Sequence, residues 1–144
     1  MIGLSVQSPF GTSPRSPEAV DVGDAIQRAL DEAGTVSGAF ASSPCRIAAL
    51  PVAAGAQLRT FRPAGFASDT CVLVTVRGST EADHRAHLHE RCLTAAQRFM
   101  LALSCEGVRN AWTAEVPEAE TLGRLGVDID GQVPVGLIWC MAEE

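Results

Sequence analysis

The chain has 144 residues, 47% of them hydrophobic and 19% charged, a composition that sets one compact domain with its own core rather than a disordered chain. All 11 basic residues are Arg and Tyr is absent, which excludes a Lys Schiff base, a P-loop Lys and a Tyr proton donor. A formal net charge of −6 argues against nucleic-acid binding, whose affinity comes from clustered cations.

Residues 1–20 are rich in Pro, Ser and Gly and read as an N-terminal arm, leaving 21–144 as a single domain. The arm has no basic region followed by an apolar run, so no signal peptide is expected. No apolar stretch approaches the ~20 residues of a membrane helix. Cys45, Cys71, Cys92, Cys105 and Cys140 form no C-x-x-C pair, and several lie in apolar runs, where Cys behaves as a small buried hydrophobe. A reducing cytoplasm is the expected compartment.

In chain order, Val22, Ala25, Ile26, Ala29, Leu30 and Ala33 fall at helical spacing, with Asp21 as cap and Gly34 as the stop. The small, polar stretch 34–45 predicts a loop, and 46–52 a short strand. Residues 53–69 read as irregular, broken at Pro63 and Gly65. The run TCVLVTV (70–76) is a strand buried on both faces. From Ser79 or Thr80 to Gly107 the pattern predicts a helix of about 26 residues, far above the ~11–12 average, with Gly107 at the C′ position.

The first half of this long helix is polar; from Cys92 to Cys105 it is apolar nearly all round. Such a helix needs cover on every side, and so small a chain has little material to wrap it, so a second subunit is expected. Residues 108–116 then read as extended, 117–126 as a short helix with Pro117 at N1, and 132–142 as a closing strand with Pro134 and Gly136 marking an edge or bulge.

Motifs with chemical meaning are few. His84 and His87 share a helix face, but His89 lies ~140° from His84 at ~100° per residue, and two ligands do not make a metal site. Asp128–Gly131 begins like a calcium loop, yet Trp139 stands where the closing Glu belongs, so it reads as a turn. Cys45 precedes Arg46, whose guanidinium could favour a thiolate. No nucleophile-elbow, zinc-protease, dinucleotide or P-loop string occurs.

Ala95-Ala96-Gln97, Met100-Leu101-Ala102, Gly107, Trp112, Leu122-Gly123 and Val133-Pro134-Val135 fall in the order and at the spacing of the C-terminal half of the FMN-dependent nitroreductase family. Upstream, Ser43-Pro44-Cys45-Arg46-Ile47 and TCVLVTV resemble the family's loop and strand, so the resemblance covers residues 22–141. It implies an α+β fold: a nitroreductase-like antiparallel sheet around a long central helix, in an interlocked dimer with FMN at the subunit interface. It also implies NAD(P)H as co-substrate and a nitro, quinone or ene-type acceptor.

By the same resemblance, Ser37, Ser42, Ser43 and Gln97 would meet the flavin ring and ribityl chain. Arg109 and Asn110, with the backbone at Gly107 and with Arg15, Ser16 or Arg46, would take the phosphate. No catalytic acid can be named. The sequence departs from the family in its single Arg-Ser before the first helix, in lacking the loop Asn, and in having Arg109 where the family has Gly. The region between the two early strands is also short and lacks the family's helical lid. The alternative is a degenerate scaffold without flavin, acting as a partner subunit or small-ligand binder.

Overall fold

The computed structural model describes residues 21–37, 45–78, 81–129 and 131–143, with the backbone alone for 33–37. Five segments of helix and four strands alternate: α1 (Val22–Ser37), β1 (Cys45–Ala49), α2 (Val52–Gln57), a 3-10 turn (Arg59–Phe61), β2 (Cys71–Val76), α3 (Ala82–Cys105), β3 (Val108–Thr113), α4 (Ala119–Arg124) and β4 (Val133–Ala142). The strands form one antiparallel sheet in the order β1-β2-β4-β3. β2 and β4 are the inner strands, and every residue of β2 is buried, as its unbroken β-branched run predicts.

Strand alternation divides the core into two layers. Val72, Val74, Ile138 and Cys140 point toward α1 and α3, joining Ile26, Leu88, Phe99 and Leu103. Cys71, Leu73, Leu137 and Trp139 point the other way, onto Ala54 of α2, Leu122 of α4, and Leu50, Leu58 and Phe66 of the connecting segments.

Local details follow the sequence closely at several ends. The Asp24 N–H donates to Asp21 Oδ1 at 3.1 Å, so Asp21 caps α1. Gly107 adopts φ +79° just past α3, the left-handed conformation that ends a helix. The β2–β4 ladder shifts register between Val74 and Thr75 and passes over Val135, so Pro134 and Gly136 do flank a bulge. Gly136 has a specific reason to be Gly, because a Cβ there would collide with the indole of Trp112.

Four expectations change. α1 does not stop at Gly34 but runs on to Ser37; an interior Gly costs a helix only ~1 kcal/mol and need not end it. β1 ends at Ala49 rather than residue 52, because Pro51 has no N–H to continue the ladder and instead leads into α2. The stretch read as irregular therefore holds α2 and the 3-10 turn, so a helical excursion between the early strands is present, burying Ala54 and Leu58. α4 starts at Ala119 behind Glu118, two residues after Pro117.

Ser79 and Thr80, the expected caps of α3, lie outside the described residues, and its N-cap position is Glu81. Among the described residues no helix is long and apolar enough to cross a membrane.

Candidate functional site

α3 carries two stripes of different fate. Leu88, Cys92, Ala95, Ala96, Phe99 and Leu103 repeat at three and four residues and are buried against the sheet and α1. A neighbouring stripe runs Leu93, Gln97, Met100, Leu101, Ser104: Leu93 and Met100 are half-buried against the core, Gln97 and Ser104 are exposed, and Leu101 is 69% exposed. The chain therefore covers the inner stripe fully and Leu93, Met100 and Ala102 in part, and leaves Leu101 in the open.

Where this stripe meets β3 there is an open cleft of about 390 Å³, lined by Gln97, Met100, Leu101, Ser104 and Asn110. That size lies in the ~300–1,000 Å³ range of small-molecule sites. Asn110 forms its wall, and its amide is fixed: the two hydrogens on Nδ2 are shared among the Met100 carbonyl at 3.3 Å, Ser104 Oγ at 3.2 Å and the Val108 carbonyl at 3.1 Å. Ser104 Oγ in turn donates to the Met100 carbonyl at 3.2 Å. The cleft therefore combines an apolar floor, Met100 and Leu101, with a rim of two amides and a hydroxyl. Gln97 and Asn110 are residues the sequence singled out; Ser104 and the exposed Leu101 complete the arrangement.

Arg109 does not share that cleft. Adjacent strand residues point to opposite faces, and Arg109 lies across the sheet from Asn110, with its guanidinium 4.8 Å from the Phe66 ring centroid and donating to the Gly65 carbonyl at 3.3 Å. The expectation that Arg109 and Asn110 together clasp a phosphate is corrected on that geometry. Arg46 is likewise on the far face, at the other edge of the sheet, in a shallow groove with Leu73, Thr75 and Ile129.

Gly107 does not line the cleft; its carbonyl accepts from the Glu143 N–H at 3.1 Å and its N–H donates to the Ser104 carbonyl at 3.1 Å. Ser37 ends α1, with only its backbone described, and Arg15, Ser16, Ser42 and Ser43 lie outside the described residues. Arginines do converge elsewhere: Arg77 and Arg85 line a second groove, with His89, at the N-terminal end of α3. Arg85 is ~18 Å along the helix from Gln97 at ~1.5 Å per residue.

His84, His87 and His89 are all exposed. Among the described residues no three His, Cys, Asp or Glu side chains are placed to hold a metal ion. Cys45 is buried rather than poised as a thiolate beside Arg46, which points away on the other side of β1; contact with Cys92 and burial push its thiol well above the usual range.

An antiparallel sheet flanked by a 24-residue central helix defines this as an α+β protein, and comparison with solved structures identifies the architecture as the nitroreductase fold. A nitroreductase family protein from Streptococcus pneumoniae TIGR4 matches with TM-score 0.65 at 12% identity, over 90% of this chain and 84% of that one. One from Clostridium novyi NT matches with TM-score 0.64 at 13% identity, over 89% and 78%. A protein from Desulfovibrio desulfuricans, described as a nitroreductase and solved in complex with FMN, matches with TM-score 0.57 at 21% identity, over 87% and 76%. No protein-family model and no curated protein matches the sequence.

Proposed function

We propose that the chain is an FMN-dependent oxidoreductase of the nitroreductase type, working as a cytoplasmic homodimer with NAD(P)H as co-substrate. The observation that carries this reading is the outer stripe of α3: the exposed Leu101 and the half-buried Leu93 and Met100 beside a polar rim, on the long helix of a nitroreductase fold. Two α3 helices packed along Leu93, Met100 and Leu101 would bury it, at roughly 1.5–3 kcal/mol per large side chain fully covered.

The chemistry of the cleft fits the ring of the cofactor. Met100 and Leu101 suit a planar apolar body, while Gln97, Ser104 and Asn110 suit its polar edge. Because Asn110 is tied to α3 through Nδ2, it would orient a ring without first having to order itself. The bound flavin supplies hydride transfer between NAD(P)H and a small organic acceptor, and the protein orients it and excludes water. Phosphate binding needs cations, and Arg46 and Arg109, turned to the far face, do not supply them to the cleft.

That same observation favours a second reading: no arginine lines the cleft, so a scaffold that has lost its flavin, serving as a partner subunit or small-ligand binder, is the alternative. The visible spectrum separates them. Purified protein mixed with FMN and passed through gel filtration is expected to retain flavin absorbance and elute as a dimer. A colourless dimer supports the scaffold, and a colourless monomer overturns both.

A further inference from the structure

Four of the five cysteines are buried, and two of them meet across the molecule. Cys45 opens the edge strand β1, and Cys92 lies on the inner stripe of α3, 47 positions later. Their Sγ atoms are 3.0 Å apart, only ~1 Å beyond the ~2.05 Å of a covalent disulfide. Cys45 Sγ also lies 3.8 Å from the Cys92 carbonyl oxygen and Cys92 Sγ 3.7 Å from that of Thr75. The two sulfurs are thus directed at each other inside the helical layer of the core.

We infer that Cys45 and Cys92 are a reversible disulfide site, closed by a peroxide-class oxidant and reopened by a dithiol reductant. In the closing reaction the Cys92 sulfur attacks one peroxide oxygen, an S–O bond forms, the O–O bond breaks, and hydroxide leaves. The Cys45 sulfur then displaces the hydroxyl from Cys92 to form the S–S bond. The two thiols are oxidised, the peroxide is reduced to two waters, and the two thiol protons end in those waters. Reopening runs by exchange, the reductant leaving as its own disulfide.

The electrostatics agree with this order of attack. The Sγ–Sγ contact lowers the Cys92 thiol from its ordinary value, while the same contact and burial raise that of Cys45, a direction that suits Cys92 as the attacking sulfur. Cys71 and Cys140 differ: burial pushes each up to about 12, and they point to opposite layers of the core. Entry for a molecule as small as hydrogen peroxide needs only fraying at the first residue of an edge strand. Closure would tie that residue, which directly follows the segment holding Ser42 and Ser43, to the middle of the helix that carries the cleft. The inference is independent of whether flavin binds.

The test uses the full chain with the exposed Cys105 replaced, Cys105→Ser, treated with hydrogen peroxide under native conditions, alkylated and digested for mass spectrometry. The expected result is a linked Cys45–Cys92 peptide, a mass loss of about 2 Da for the two hydrogens removed, reversal by dithiothreitol, and a Tm several degrees higher when oxidised. Cys45→Ala and Cys92→Ala should each abolish the Tm rise. Alkylated Cys45 and Cys92 after oxidation, sulfinic acids at either position, or a link through Cys71 or Cys140 would overturn the assignment. Should either Ala variant fail to fold, the linked peptide in the Cys105→Ser protein decides alone.

Discussion

On one face of the sheet the cover is two long helices, α1 and α3, whose buried positions recur turn after turn. On the other face it is α2, a 3-10 turn, α4 and the loops between them, with neither helix longer than six residues. The helical face is held by repetitive apolar burial, which fixes a surface without fixing any one atom. The loop face has an apolar layer of its own, and a few discrete contacts fix the irregular segments above it. Asp69 accepts a two-pronged bond from Arg59 at 2.8 and 2.7 Å and another from Arg62 at 2.9 Å. Gly55 lies against the Asp69 backbone, and Arg109 lies over Phe66. Regular cover leaves an outer stripe free for a ligand or a second chain, whereas irregular cover spends its polar groups, Arg109 among them, on holding itself together.

Substitutions can break that contrast, and the largest effect belongs to the helical face. Phe99 is fully buried between α3 and the sheet. Phe99→Ala is expected to cost about 3–5 kcal/mol of unfolding free energy in urea titration, and a loss below ~1 kcal/mol would show that the inner stripe is not the anchor. On the loop face, a Cβ at Gly55 would run into the backbone carbonyl of Asp69, which cannot swing away as a side chain can. Gly55→Ala should destabilise by about 1–3 kcal/mol, measured the same way.

The outer stripe of α3 should behave differently from both. Leu101→Glu is expected to leave monomer stability within ~0.5 kcal/mol while moving the gel-filtration peak from dimer to monomer. Unchanged elution of a wild-type dimer would place the interface elsewhere.

The Asp69 clamp sharpens the comparison through pH. The Arg59 guanidinium, with Arg62 behind it, holds the Asp69 carboxyl below its ordinary range. A depressed native value contributes stability that is present above the unfolded value of about 4 and is lost as pH falls through the native one. The stability gap between wild type and Asp69→Asn should therefore be widest near neutral pH and close in acid. A gap constant across the acid limb would remove the ion pairs from the account. A small effect is expected from Arg109→Gln, about 0.5–1 kcal/mol for an exposed cation over a ring, read by the same urea titration, because the side chain packs on Phe66 and not in the core.

Much of this architecture was legible in the residues. Asp21 and Gly107 marked helix ends by their chemistry, the β-branched run of 71–76 marked a doubly covered strand, and the length and greasiness of α3 marked the centre of the molecule. α2 escaped notice because six residues give no period to read, and Pro51 looks the same at the end of a strand as at the start of a helix. The separation of Arg109 from Asn110 could have been read from strand alternation alone, since neighbours on an extended chain cannot face one ligand. The meeting of Cys45 and Cys92 could not, because two positions 47 apart acquire a distance only when β1 and α3 pack.

The chain has two tryptophans and no tyrosine, and its sheet sorts the indoles to opposite sides: Trp112 packs over Gly136 beside the helical layer, and Trp139 is sealed in the loop layer. Each half of the interior thus owns one natural fluorophore. Replacing either by Phe leaves an emission signal belonging to a single side, so the order in which the two halves come apart can be watched without attaching any dye.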